Sequence, residues 1–339
     1  ADPFRKRKRN LSVNIDFHAH VYPQVYLETL KDVQGRYGLR LEEDEQGRIR
    51  FYHRGFDFGP ISATGVDPAP RLADLDAANI DFQVLTMGNP SIDLFESEDG
   101  VPLMRAINDA IAEMVRMRPD RLAGFACIGL KDLDAAVEEM RRAARELELK
   151  GFSTFTNVDG VNLSDRRFRP FFAEAEALDL PVFIHPLNSA ANPALERFHL
   201  AALVGFMFET TLVATTLVFD GLLEEHPRLK LIFNHLGGSI PFLADRLERG
   251  YRFPEVRKTI PKPPMEYFKR LYWDTVSFYP PAVECAHAFA GADHLVLGSD
   301  YPFLSGDLGR AVSSIEETAL SPEDKDKILG GTARGLLGL

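Results

Sequence analysis

The amino-acid sequence predicts an α/β protein, a (β/α)8 TIM barrel with an insertion after strand one. Three observations carry that prediction. Short apolar runs recur along the chain, amphipathic segments of helical length separate them, and residues suited to binding a metal stand just after several of the runs. Parallel strands covered on both faces read as short continuous apolar runs instead of strict alternation. A doubly wound open sheet uses the same units and is the competing architecture.

The first strand is expected at residues 13–17, running into Asp16-Phe17-His18-Ala19-His20. Residues 24–70 then read as a long irregular insertion and not a helix. They carry an acidic run around Glu42–Glu45, the aromatics Phe51, Tyr52, Phe56 and Phe58, and a concentration of glycine and proline from Gly55 to Pro70. The turn at Gly47 suits a small hairpin, so the segment is read as an inserted loop or small β subdomain that covers a site, within one domain spanning 11–339.

After the insertion, helix and strand alternate. A helix at 71–79 precedes a strand at 82–86, and a longer helix at 101–118 is closed by Pro119. Strands at 122–127 and 151–154 flank a helix at 133–147; a helix at 168–178 precedes the strand at 182–184. An apolar helical stretch at 204–223 leads to the strand at 229–233. Strands at 271–273 and 295–297 follow, and a helix at 325–337 closes the ring.

The bulk numbers bound the function. A chain of 339 residues that is 45% hydrophobic forms a large core without difficulty. Fifty acidic against 39 basic side chains leave a net charge of -11, which argues against general affinity for nucleic acid or an anionic membrane. The basic run Arg5–Arg9 reads as a solvated terminus. Cys127 and Cys285 each sit in an apolar run that suits a buried thiol, and two cysteines build no disulfide framework, so a reducing cytoplasm is the expected compartment. No uninterrupted apolar stretch approaches the roughly 18 residues of a membrane span, and the N-terminus lacks a long apolar signal core.

The chemistry is concentrated at strand ends. His18 and His20 are two apart, so in extended chain both imidazoles project to the same side and can meet one cation. His185 follows Val182-Phe183-Ile184, and Pro186 keeps it extended. Asp300 ends Leu295-Val296-Leu297-Gly298-Ser299-Asp300 and offers a carboxylate to the same ion and to water bound there. His235 ends another strand before Leu236-Gly237-Gly238, and with no carboxylate or lysine placed to bridge two cations it is read as the proton carrier beside a single metal. Arg54 offers a guanidinium fork suited to a carboxylate-bearing substrate. Glu209, among apolar neighbours, is read as positioning a pocket group or pairing within the helix layer. His53, His199, His226, His287 and His294 are read as solvent or structural histidines.

Taken together, the segments Ile15-Asp16-Phe17-His18-Ala19-His20, Phe183-Ile184-His185-Pro186, His235-Leu236-Gly237-Gly238 and Gly298-Ser299-Asp300-Tyr301-Pro302-Phe303 resemble the metal-dependent amidohydrolase superfamily. The resemblance covers essentially the whole chain. It points to the amidohydrolase-2 group that includes 2-amino-3-carboxymuconate-6-semialdehyde decarboxylase. It implies His18, His20, His185 and Asp300 as ligands of one divalent metal, zinc or, as in some relatives, manganese. It implies His235 as the residue that activates metal-bound water, with Asp300 sharing that task, and Arg54 as a substrate-carboxylate contact. The chain reads Pro186-Leu187-Asn188 where that decarboxylase has Pro-Trp-Asp, which places Asn188 among the altered pocket contacts.

The expected reaction is nonoxidative decarboxylation of an unsaturated or aromatic carboxylic acid, a small-molecule substrate. Hydrolysis of an amide, lactone or carbon-carbon bond is the alternative, and hydration a further one. A non-enzymatic module with a structural metal is the reading from a different class. The aromatic insertion and the apolar helices suit a homodimer surface.

Overall fold

The computed structural model describes residues 13–46, 48–53, 56–187, 193–303 and 305–339. Arg54 and Asn188 lie outside the described residues.

The strands are β1 (Ile15–Val21), β2 (Leu39–Glu43), β3 (Ile49–His53), β4 (Phe56–Pro60), β5 (Phe82–Met87), β6 (Leu122–Gly124), β7 (Ala126–Cys127), β8 (Phe152–Phe155), β9 (Asn157–Val158), β10 (Val161–Asn162), β11 (Val182–His185), β12 (Leu231–Phe233), β13 (Tyr272–Asp274) and β14 (Leu295–Val296). Hydrogen bonding runs β1-β5-β6 in one sheet and β7-β8-β11-β12-β13-β14 in another. Every neighbouring pair in these two sheets is parallel. β6 and β7 flank Phe125, whose amide donates to the Leu85 carbonyl at 3.0 Å while the Ala126 amide donates to Gly151 at 2.9 Å. Past β14, the chain returns to β1: Phe17 N donates to Leu297 O at 2.8 Å and His20 N to Tyr301 O at 2.7 Å.

The short apolar runs form these strands because both of their faces are covered. Every residue of β1 and β5 is buried. Side chains on one face, including Ile15, Phe17, Val84, Phe125, Phe183 and Ile232, pack into one cluster, with Phe17 meeting Phe125 edge to face at 5.3 Å. The opposite faces pack against helices. In the helix Leu133–Arg145, Asp132 caps the Ala135 amide, and Ala136, Glu139, Met140 and Ala143 turn inward at helical spacing.

Three local expectations need correction. The segment after β1 begins with a helix, Gln24–Asp32, whose Tyr26, Leu27 and Leu30 are buried, so packing of one apolar stripe sets its conformation. The strands β2, β3 and β4 follow as an antiparallel sheet, with Glu43 opposite Ile49 across the expected hairpin, and buried Phe51 stacks on Phe58 at 5.1 Å. His18 and His20 lie within β1, since the strand continues to Val21 through its pairing with β5. Cys285 is exposed: on the helix Pro280–Ala290 the inward stripe is Val283, Ala286 and Phe289, and Cys285 falls off it.

Among the described residues one helical stretch, Ala201–Phe219, is long and apolar enough by composition to cross a membrane. Its inward residues Thr210, Val213, Ala214, Leu217 and Val218 are packed in the fold, and Thr211 Oγ1 accepts from the Ser239 amide at 2.8 Å.

Asp93, in the turn after β5, accepts from the amides of Leu130 at 2.7 Å and Lys131 at 3.1 Å and so joins two loops. Burial pushes its carboxyl up from 3.8 to about 6, against those hydrogen bonds. The buried site favours the neutral acid, so its contribution to stability is complete below about pH 3.8 and is lost as the pH rises through about 6. Asparagine keeps an acceptor for both amides and removes the charge. Urea unfolding of Asp93→Asn is therefore expected to show a smaller loss of stability between pH 4.5 and 7 than the parent, by on the order of 1–3 kcal/mol. An unchanged difference would overturn the assignment.

Candidate metal centre and active site

The C-terminal ends of β1 and β11 and the turn after β14 bring four ligand atoms together. One atom from each of His18, His20, His185 and Asp300 lies within 4.8 Å of the others, and all four residues are buried. His18 Nε2 is 2.9 Å from His20 Nε2, and Asp300 Oδ1 lies 3.4 Å and 3.2 Å from those two nitrogens. The alternation of β1 puts both imidazoles on one side. Asp300 reaches them from a left-handed conformation, φ 56°, that asparagine and aspartate tolerate better than most residues.

Contacts at the far side of each ring fix where its lone pair points. The Asp274 carboxylate only accepts, so His18 donates from Nδ1 across 2.6 Å. The Pro186 carbonyl likewise receives His185 Nδ1–H at 2.9 Å. Thr86 spends its hydroxyl proton on Ala19 O at 2.9 Å and accepts from His20 Nδ1 at 3.2 Å. With Nδ1–H directed outward on each ring, a bound cation that displaced the His18 Nε2 proton would meet three Nε2 lone pairs and a carboxylate oxygen, a donor set that fits a divalent metal.

Without a cation, a proton on His18 supplies the positive charge that the carboxylates attract. Burial opposes charge on His18, yet Asp274 and Asp300 push its pKa up to about 10. Burial takes His20 down to about 4 despite Asp300 and drives His185 well below the usual imidazole range, with the neighbouring rings adding to it. Burial works against the Asp300 carboxylate, but His18 and His20 hold it well below the ordinary range. The cluster calls for positive charge at its centre.

His235 stands beside the four ligands without joining them, its ring centroid 5.4 Å from His18 and 5.8 Å from His185. Its amide donates to Asp274 at 2.8 Å, while its Nδ1 has no hydrogen-bond partner among the described residues. Burial lowers its pKa, with Asp274 and Asp300 opposing, so the ring is neutral and offers a proton acceptor. The turn that holds it needs glycine: Gly237 has φ 73°, and a Cβ there would come within 2.5 Å of the Trp273 ring.

Several contributors were not singled out from the sequence. Asp274 joins His18 to the His235 backbone, and the Asn234 amide nitrogen lies 3.0 Å from His18 Nδ1. The rule that drew attention to other strand ends applies to Asp274, the last residue of β13, once that strand is extended past Trp273. Nothing in the sequence marks Thr86. Of the residues expected to touch substrate, Glu209 is half-buried in the first turn of the helix Phe206–Phe219. That helix also stacks Phe206 on His235, centroids 6.4 Å apart. Three of the other histidines have structural partners: His226 meets Glu176 at 3.2 Å, His287 meets Asp324 at 3.4 Å, and His294 meets Leu271 O at 3.1 Å.

A family model described as amidohydrolase matches residues 15–339. The chain belongs to the amidohydrolase family. It is 32% identical over 334 residues to the 2-amino-3-carboxymuconate-6-semialdehyde decarboxylase of Dictyostelium discoideum, covering 97% of this chain and 92% of that one. It is 31% identical over 276 residues to the gamma-resorcylate decarboxylase of Rhodococcus jostii, covering 76% and 83%. Among solved structures, the 5-carboxyvanillate decarboxylase of Novosphingobium aromaticivorans, complexed with manganese and 4-hydroxy-3-methoxy-5-nitrobenzoic acid, superposes with a TM-score of 0.81. The identity there is 23%, over 97% of this chain and 96% of that one.

For this amidohydrolase, Asp274 gives a test of ligand orientation. Asp274→Asn keeps the side chain's shape but removes the negative charge that holds the proton on His18 Nδ1. Metal affinity is expected to fall about 10–100-fold, read by competition with a chromophoric chelator. Unchanged affinity would remove Asp274 from the site.

Proposed function

We propose that the protein is a metal-dependent nonoxidative decarboxylase of an unsaturated or aromatic carboxylic acid. The observation that carries this reading is the convergence of three imidazole nitrogens and one carboxylate on a single point, with a neutral, buried His235 at their side. The decarboxylases named among the relatives supply the direction of the chemistry.

A divalent metal held by His18, His20, His185 and Asp300 would supply positive charge for substrate oxygens and lower the pKa of a bound water. The chain's own residues do the rest. Asp300 presents Oδ1 toward the histidines and anchors Oδ2 on the Ser305 hydroxyl at 3.0 Å; with His235 it would orient a water held there. His235 Nδ1 would take a proton from water in the site and return it to carbon, the water regaining a proton from solvent. The bond to the carboxylate breaks, its electron pair stays on the carbon that bore it, and that carbon accepts the proton while carbon dioxide leaves. Aromatic neighbours of the cluster, buried Phe155 beside His185 and half-buried Phe303 beside His20, suit a planar substrate.

The finer readings belong to the same proposal. The metal is zinc, with manganese the alternative. Arg54, Glu209 and Asn188 contact the substrate. The hydrogen bonds between β1 and the chain beyond β14 support closure into a (β/α)8 barrel in one domain over 11–339, with 24–70 inserted. The enzyme works in the cytoplasm. Exposed Leu203, Phe208 and Leu212 on one apolar helical stretch support a homodimer surface.

The deciding experiment supplies the metal-loaded protein with hydroxybenzoates and unsaturated amino dicarboxylates in deuterated water. One carbon dioxide per substrate and one deuterium at the carbon that lost it are expected. Solvent oxygen in a newly formed carboxylate would instead establish hydrolysis.

A further inference from the structure

A second polar layer backs the metal-binding cluster and has no part in the chemistry described so far. Asp16 is fully buried on β1 and accepts four hydrogen bonds, from His18 N at 3.2 Å, Ser299 N at 3.0 Å, Ser299 Oγ at 2.6 Å and Gln83 Nε2 at 2.7 Å. Gln83 Oε1 accepts in turn from Arg71 Nη1 at 2.8 Å. The Arg71 guanidinium, fully buried as well, donates to the His20 carbonyl and, at 3.2 Å, to the Thr64 carbonyl; it lies 4.8 Å from the centre of the Tyr301 ring.

The relay has a fixed direction. A carboxylate accepts only and a guanidinium donates only, so the Gln83 amide between them has a single satisfied orientation. Its ends reach the main chain of the ligand-bearing segments and not the imidazoles: the N–H of His18, the carbonyl of His20, and both the amide and hydroxyl of Ser299, the residue before Asp300. The Asp300 amide is itself bonded to His18 O at 2.9 Å, so the three segments share one backbone frame.

We propose that Arg71, Gln83 and Asp16 form a positioning relay that sets the relative placement of His18, His20 and Asp300 for metal binding. Ligand atoms only a few ångströms apart tolerate displacements of about 0.5 Å before coordination suffers, and side-chain direction follows the backbone that carries it. A charged arginine and a carboxylate buried with a neutral amide between them are poor instruments for stability alone, because well-packed apolar residues in such places are often as stable. What the relay provides is a fixed geometry. Arg71 comes from the helix Pro68–Ala77, so the relay also ties that helix to the ligand pair on β1.

This inference rests on the metal-centre reading, and the test separates the two. The full-length protein is stripped with a chelator and titrated with cobalt(II), recording affinity by chelator competition, the visible absorption of the bound ion, and thermal unfolding of the metal-free form. In Gln83→Leu the cobalt affinity is expected to fall about 10–100-fold with a changed visible band. Arg71→Met should match it, and Arg71→Lys, which keeps a charge and a donor, should recover part of the loss. Ser299→Ala removes one hydroxyl and is expected to give a smaller loss in the same direction; it decides the matter if Gln83→Leu does not fold. Parental affinity and an unchanged band in Gln83→Leu and Ser299→Ala, even with a lower unfolding temperature, would make the layer structural only and overturn the proposal. A parent protein that takes up no cobalt would remove the metal centre, and the relay with it.

Discussion

Asp300→Asn is expected to purify with less than about a tenth of the parent's metal and to lose turnover by at least ~10³-fold. Asparagine is chosen because residue 300 has φ 56°, a conformation it tolerates, so the backbone turn survives. What is lost is the anionic oxygen that faces the Nε2 atoms of His18 and His20 at 3.4 and 3.2 Å. Without that charge, three neutral donors remain in a buried site, and the energy of dehydrating a divalent ion is no longer offset. Metal content by elemental analysis and turnover on the same preparation check the result. Full metal occupancy in this variant would show that Asp300 is no ligand.

His235→Asn should separate proton transfer from coordination. Its metal content is expected to match the parent while kcat falls about 10²–10⁴-fold, the range of a lost general acid-base group. Asparagine again suits the local backbone, φ 55° in His235, and its amide N–H can still reach Asp274. The pH profile carries a second signature. Burial holds His235 below the ordinary imidazole range, so activity in the parent is expected to fall on the acid side as this ring protonates. The residual activity of the variant should lack that limb. Metal loss equal to that of Asp300→Asn would make His235 a ligand.

Most elements of the fold were legible in the sequence because each depends on near neighbours. The runs that become β5, β11 and β12 are mostly apolar and buried on both faces, and the helix Leu133–Arg145 announces itself through the Asp132 cap and an inward stripe at helical spacing. The helix Gln24–Asp32 was missed because its stripe is short and no acidic residue marks its first turn. Cys285 was misplaced because the run around it is apolar on more than the inward side, and composition alone does not say which face turns in.

By itself the sequence determined which strand ends carry histidine and aspartate, and so the four residues that meet at the candidate metal centre and the neighbouring His235. Strand periodicity is a local property, and it puts alternate residues such as His18 and His20 on one face whatever the rest of the chain does. Tertiary structure alone decided which ring nitrogen of each histidine faces the centre. His18 is oriented by Asp274, 256 positions away, and Asp16 meets Ser299 across 283. Hydrogen bonds of that span exist only once the chain has brought its ends together, since direction and distance at the 3 Å scale are set by packing and leave no trace in the spacing of residues.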